Sequence, residues 1–285
     1  MESLVTTQWL ADELAAGDLR VIDASSHLAA AGRDALAEHE AGHIPGALFM
    51  DLAELVDTAS PVENTLPGAE KFASRMQGLG VGDGSRIVVY DDSDIHSAAR
   101  AWFMFKLFGA QNVAILDGGL AKWKAEGRPL EAGRKVLRCR HYTAWSDGAR
   151  LRGKADMLAN IASGREQVAD ARGTPRFAGT APEPRPGMAA GHIPGAHNLP
   201  YSALYQADGT FRPASELRAA FARTGIDLAR PVIATCGSGM TACVLIFALH
   251  LLGKEDVALY DGSWAEWGAD PATPKETGIP KPQNA

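Results

Sequence analysis

The sequence predicts an α/β protein built twice over, as two tandem domains that are each a mainly parallel sheet flanked by helices on both faces. Three observations predict it. Gly42-His43-Ile44-Pro45-Gly46-Ala47 recurs letter for letter as Gly191-His192-Ile193-Pro194-Gly195-Ala196, at an offset of 149 residues. Leu116-Asp117-Gly118-Gly119-Leu120-Ala121-Lys122-Trp123 is echoed by Tyr260-Asp261-Gly262-Ser263-Trp264-Ala265-Glu266-Trp267, at an offset of 144. Short apolar runs also alternate with helical stretches in the same order in both halves, the pattern of parallel strands joined by crossover helices. The drift in offset puts a few extra residues between the two markers of the first copy, which belong on a surface loop.

Each half opens on a short apolar strand, Leu19 to Asp23 or Gln167 to Asp170. A long polar loop then leads into the repeated hexapeptide, whose two glycines and proline exclude a helix and turn the chain into another strand. A helix follows from Pro67 or Pro213. Next come a buried-type strand, Arg86 to Tyr90 or Pro231 to Thr235, and at once a second helix that ends at Gly109 or Gly253, both suited to a C-terminal cap. A last strand, Val113 to Leu116 or Val257 to Tyr260, runs into the Asp-Gly turn. Trp102, Phe103, Phe105 and Phe108 fall at helical spacing and are expected to pack in the core rather than form an aromatic binding box.

The 285 residues, 46% of them hydrophobic, suffice for two ordinary domains with real cores. A formal charge of -6 gives no overall attraction to nucleic acid or to an anionic membrane, so an anionic ligand has to be captured locally. The longest apolar stretch, Met240 to Leu252, is broken by Thr241 and His250 and is too short to span a bilayer. Residues 1–7 lack the features of a secretory signal or a mitochondrial presequence. Cys139, Cys236 and Cys243 are too few for a disulfide framework, so the expected compartment is the reducing cytoplasm. The domains are expected at 1–135 and 155–285. The linker, 136–154, falls in a weakly periodic stretch, 131–154, whose cluster of Arg134, Lys135, Arg138, Arg140, Arg150, Arg152 and Lys154 reads as a solvated face.

In open α/β sheets, chemistry sits where the C-terminal end of a strand turns into the next helix. In the second half that loop is Cys236-Gly237-Ser238-Gly239-Met240-Thr241; in the first it is Asp91-Asp92-Ser93-Asp94-Ile95-His96-Ser97. Aligned on the helix-end glycines, Asp91 stands where Cys236 stands, so only the second half can use thiolate chemistry. A free thiol is mostly protonated at neutral pH and needs its anion stabilised. Small residues at 237–239 let successive main-chain N–H groups point inward, and the positive end of the following helix adds to them. Such a cradle holds a thiolate, a persulfide or a developing oxyanion. The competing reading is a buried structural cysteine at a strand end.

The duplicated halves, the paired Gly-His-Ile-Pro-Gly-Ala turns, Leu116-Asp117-Gly118-Gly119 and the cysteine loop together resemble the two-domain rhodanese superfamily over essentially the whole chain. The resemblance implies two tandem rhodanese-like domains, a noncatalytic one with Asp91 at the cysteine position and a catalytic one. It also implies sulfur transfer through a Cys236 persulfide, with release of pyruvate from a mercaptopyruvate donor and delivery to a thiol, a thioredoxin-like dithiol or cyanide. Within the superfamily the loop is similar to that of the mercaptopyruvate-type members, since Gly237 and Ser238 stand where thiosulfate-type members carry Arg and Lys. A thiosulfate:cyanide sulfurtransferase and a noncatalytic sulfur-binding or sensing module are the alternatives. The resemblance assigns the donor carboxylate to Arg176 and Arg185, and Ser238 to the donor carbonyl, beside a cradle of Gly237, Ser238, Gly239, Met240 and Thr241. Thr241 is expected to cap the helix. In relatives an Asp and a His complete a relay with the serine; here those positions correspond to Ala53 and Asn64, so no relay is expected, although Asn64 can donate a hydrogen bond to the substrate. No metal or organic cofactor, nucleic acid or membrane partner is implied.

Two further motifs are decoys. His39-Glu40-Ala41-Gly42-His43 spells H-E-x-x-H, but Gly42 and Pro45 disfavour the continuous helix that zinc ligation needs, and the repeat places Met188 at the first histidine. A phosphatase-type cysteine loop carries an arginine where this chain has Ala242, so a phosphate dianion loses its clamp. Cys243 is expected as a small core residue and Cys139 as an exposed one.

Overall fold

Both sheets are wholly parallel and five-stranded, as a chain of β-helix-β crossovers requires. The computed structural model describes residues 1–279. In the first half the elements run β1 (Leu4–Val5), α1 (Thr7–Glu13), β2 (Leu19–Asp23), α2 (Ala35–Ala41), β3 (Leu48–Phe49), α3 (Ala69–Gly78), β4 (Arg86–Tyr90), α4 (Ala98–Leu107), β5 (Val113–Leu116) and α5 (Gly119–Ala125). The second half repeats them: β6 (Leu151–Arg152), α6 (Lys154–Ser163), β7 (Gln167–Asp170), α7 (Thr174–Phe177), β8 (His197–Asn198), α8 (Ala214–Arg223), β9 (Val232–Thr235), α9 (Ala242–Leu251), β10 (Val257–Tyr260) and α10 (Ser263–Trp267). Strand orders are β1-β5-β4-β2-β3 and β6-β10-β9-β7-β8, so β4 and β9 occupy the same central place. The two edge strands β1 and β6, two residues each, carry too little pattern to be read from sequence.

Two compact units form. The first contains residues 1–58, 66–147 and 207–211; the second contains, of the described residues, 59–65, 148–206 and 212–279. Residues 136–147 therefore group with the first unit and 148–154 with the second. Cys139 is exposed in this stretch, whereas Tyr142 is buried. Among the described residues no helix is long and apolar enough to cross a membrane.

The helix after each central strand is buried nearly all round, as its lack of a polar face demands. α4 packs on β4 and β5, and Trp102, Phe103, Phe105 and Phe108 are each at most 2% exposed. α9 packs on β9 and β10. Gly109 and Gly253 follow these helices with φ of +95° and +78°, the left-handed conformation of a helix stop.

The repeated hexapeptide has one structural job in both units. Ala47 N–H donates to Ile44 O at 2.9 Å and Ala196 N–H to Ile193 O at 3.0 Å, closing a turn over a buried isoleucine. Each motif histidine exchanges two main-chain hydrogen bonds with a returning glutamate, His43 with Glu131 and His192 with Glu276. The H-E-x-x-H run follows from this. α2 carries His39 but stops at Gly42, and the rings of His39 and His43 stack at 4.0 Å. His39 Nδ1 bonds to Asp23 Oδ2 at 2.9 Å, while His43 Nδ1–H donates to the His39 carbonyl at 2.7 Å.

Gly191 has φ +113°, and a Cβ there would stand 2.1 Å from the Glu276 carbonyl oxygen; Gly195 has φ +73° with nothing within 4 Å. Gly195→Ala is expected to cost about 1–2 kcal/mol of conformational strain, and Gly191→Ala about twice that or more, because the clash adds to the strain. Urea unfolding of the two variants checks the order.

Candidate active site at the end of β9

β9 delivers Cys236 to the C-terminal edge of the second sheet, and a six-residue loop joins it to α9. Cys236 is 2% exposed, while Gly237, Met240 and Thr241 after it are half-buried. Gly239 makes the bend with φ +76°. Among the described residues no protein acceptor meets the main-chain N–H of Gly237, Ser238, Met240 or Thr241. Donors without an internal partner at the start of a ten-residue helix are the raw material of an anion cradle.

Thr241 departs from the expected capping role. It occupies the N-cap position of α9, but its side chain makes no capping bond; its φ of -73° and ψ of -17° are already helical rather than the extended conformation of a capping residue. Its carbonyl accepts from Val244 N–H at 3.1 Å. Cys243 is fully buried and its thiol donates to the Gly239 carbonyl at 3.2 Å, so this core cysteine also shapes the bend.

The second sequence echo proves to be the clasp on this loop. Trp264 N–H donates to the Cys236 carbonyl at 3.0 Å and Ala265 N–H to the Gly237 carbonyl at 2.8 Å. Ser263 Oγ accepts from Cys236 N–H at 3.3 Å and donates to the Tyr260 carbonyl at 2.8 Å. To do so Ser263 adopts φ +50°, a left-handed strain that a non-glycine residue carries only when its surroundings impose it. Sequence reasoning did not single out Ser263. Its signal was the place of the Asp-Gly-Ser turn in the repeat.

Arg176, on the short α7, reaches the loop: its Nη2 would stand 3.0 Å from a Cβ on Gly237. Its guanidinium is hydrogen-bonded to Glu183 Oε2, through Nε at 3.1 Å and through Nη2. The Glu183 side chain is only 3% exposed and also accepts from Arg172 Nη1 at 2.7 Å. Arg172 in turn holds Asp170 and lies 4.3 Å above the Trp264 ring. Neither Glu183 nor Arg172 was expected; the signal was three arginines in one loop with a single acid among them.

Arg185 pairs with Glu63 at 2.6 Å, beside Asn64, and residues 59–65 belong to the second unit. Asn64 is half-buried with φ +61°. Ala53 is exposed, has no side-chain polar atom, and its N–H donates to Asp51 Oδ1 at 2.8 Å. Ser238 is buried at 9% exposure. The structure thus brings Arg176 against the cysteine loop and Arg185 against the Asn64 segment.

In the first unit the same clasp holds a different occupant. Leu120 N–H donates to the Asp91 carbonyl at 3.0 Å, the counterpart of Trp264 and Cys236. Asp91 Oδ2 accepts from Ala98 N–H at 2.9 Å and from Ser93 Oγ at 2.9 Å, so a carboxylate fills the loop from within. Burial pushes the Asp91 carboxyl up to about 6 despite these donors.

The rhodanese-like domain family matches this chain twice, at residues 6–126 and 154–270. The chain is 44% identical over 271 residues to human 3-mercaptopyruvate sulfurtransferase, covering 93% of this chain and 91% of that one. It is 40% identical over 272 residues, with the same coverages, to a thiosulfate sulfurtransferase of Cricetulus griseus. The crystal structure of Escherichia coli SseA, described as showing the rhodanese fold of 3-mercaptopyruvate sulfotransferases, superposes with a TM-score of 0.85 at 37% identity and covers 93% of this chain and 99% of that one.

Between the ordinary value of 3.8 and about 6, folded Asp91 keeps a proton that the unfolded chain has released. Stability therefore falls as pH rises through that window, by up to about 3 kcal/mol. Asp91→Asn is expected to gain most of that difference relative to the parent between pH 4 and pH 7; urea unfolding at both pH values measures it, and a pH-independent difference contradicts burial of the charge as its cause.

Proposed function

The chain belongs to the rhodanese-like family and is a sulfurtransferase, and from that premise we propose that it takes sulfur from 3-mercaptopyruvate onto Cys236 and passes it to a thiol or to cyanide. The observation that carries this reading is Arg176 beside a cysteine loop whose Gly237 and Ser238 supply no cation of their own. A fixed guanidinium set to one side of the nucleophile suits a donor whose carboxylate is separated from its sulfur by a carbonyl carbon and a methylene. The 44% identity to a relative of that name supports the same donor.

Cys236 Sγ, as thiolate, attacks the donor sulfur. The S–S bond forms as the bond from carbon to sulfur breaks, and the electron pair passes to carbon as the enolate of pyruvate. Water or the donor's own thiol returns the proton, since Ala53 and Asn64 offer no acid or base. Arg176 and Arg185 hold the carboxylate, Ser238 stands near the carbonyl, Asn64 donates to a substrate oxygen, and the loop N–H groups take up the charge on sulfur. In the second half-reaction the acceptor, a low-molecular-weight thiol, a thioredoxin-like dithiol or cyanide, attacks the outer sulfur and frees the thiolate. The first domain is noncatalytic in this scheme, with Asp91 in place of the nucleophile. A cytoplasmic setting suits a chain in which Cys139, Cys236 and Cys243 are all free thiols.

Thiosulfate is the second donor to consider, because a thiosulfate sulfurtransferase is 40% identical to this chain. Comparing kcat/KM for the two donors on one preparation decides between them; a preference for thiosulfate overturns the assignment. Cys236→Ser is expected to abolish turnover and the gain of one sulfur atom seen by intact-protein mass spectrometry, while Tm stays near the parent's. Arg176→Ala and Arg185→Ala are each expected to lower kcat/KM for 3-mercaptopyruvate by about 1–3 kcal/mol, mainly through KM.

A further inference from the structure

Building on the donor reading above, we infer that Glu183 is a positioning and specificity-determining residue that aims Arg176 at the cysteine loop and tunes the site for a monoanionic donor. Glu183 is anchored from behind. Its partner Arg172 is only 1% exposed at the side chain, is bonded to Asp170 Oδ2 at 2.7 Å and to the Gly191 carbonyl at 2.9 Å, and is stacked on Trp264. Through Nη1, at 2.7 Å, this post holds Glu183 Oε1, leaving Oε2 for Arg176.

The way Oε2 is used decides what Arg176 can do. A guanidinium has a side edge, Nε with one Nη, and an end edge carrying both Nη atoms. Glu183 takes the side edge. The end edge faces the loop: Nη2 and Nη1 would stand 3.0 and 4.0 Å from a Cβ on Gly237. Among the described residues the Arg176 guanidinium has hydrogen bonds to Glu183 alone, so Glu183 is the polar group that sets its direction.

The charges along the row alternate: Asp170 negative, Arg172 positive, Glu183 negative, Arg176 positive. The row is neutral as a whole. It therefore presents a shaped pair of donors with no surplus positive charge, which matches a single carboxylate and compensates a dianion poorly.

Glu183→Gln and Glu183→Asp separate the two roles, with 3-mercaptopyruvate and thiosulfate as donors. Glu183→Gln removes the charge and loosens the aim. Its ratio of kcat/KM for 3-mercaptopyruvate to that for thiosulfate is expected to fall at least tenfold. Glu183→Asp keeps the charge and its pairing to Arg172 but is too short to bridge both arginines. It is expected to raise KM for 3-mercaptopyruvate at least fivefold and to change thiosulfate kinetics less than twofold; it also keeps the test open if the glutamine variant does not fold. Added to Arg176→Ala, Glu183→Asp is expected to change 3-mercaptopyruvate kinetics less than twofold. An equal loss with both donors, or a loss that adds to that of Arg176→Ala, overturns the inference. Failure of the underlying reading shows separately, in the parent protein, as a preference for thiosulfate or as no persulfide on Cys236 from either donor.

Discussion

Main-chain hydrogen bonds across the end of each sheet, two in the second unit and one in the first, from the turn after the last strand to the loop after the central strand, are what the site depends on. In the second unit they run from Trp264 and Ala265 to the carbonyls of Cys236 and Gly237. A carbonyl tied back in this way fixes the plane of its peptide, and with it the direction of the N–H that follows. The clasp is made of backbone, so it is indifferent to what that first residue is.

That indifference explains how one fold carries two unlike centres. The first unit keeps the clasp, from Leu120 to Asp91, and places a carboxylate where the second places a thiol. A carboxylate is a strong acceptor and satisfies the loop donors from within, through Ala98 N–H and the Ser93 hydroxyl. In the second loop the N–H groups of Gly237, Ser238, Met240 and Thr241 meet no protein acceptor among the described residues. Ser263 and Gly119 mark the same difference at the clasp itself: both are left-handed, but only the serine adds a hydroxyl that fixes the N–H of Cys236.

Much of the fold was legible because its signals are local. The strands from Leu19, Arg86, Val113, Gln167 and Val257 lie where alternating apolar runs and bounding turns put them, and the Gly109 and Gly253 stops follow from the steric freedom of glycine. The two-residue edge strands β1 and β6 were not legible, because so short a pairing leaves no periodicity. At the site, the place of the Cys236 loop at a strand end could be read from position, and Arg176 only through the family resemblance. Glu183, Arg172 and Ser263 could not, since each acts through a partner distant in sequence or through a backbone angle.

By itself the sequence determined that the chain is a duplication, that its sheets are parallel, and that a single half retains a thiol at the strand end, because repeats, periodicity and residue identity are one-dimensional quantities. Only the tertiary structure decided which groups stand around that thiol. Direction and contact arise when the loop at 172–191, the strand end at 236 and the turn at 263 are packed together, and the buried charges among them then find partners because an unpaired ion away from water is too costly to keep.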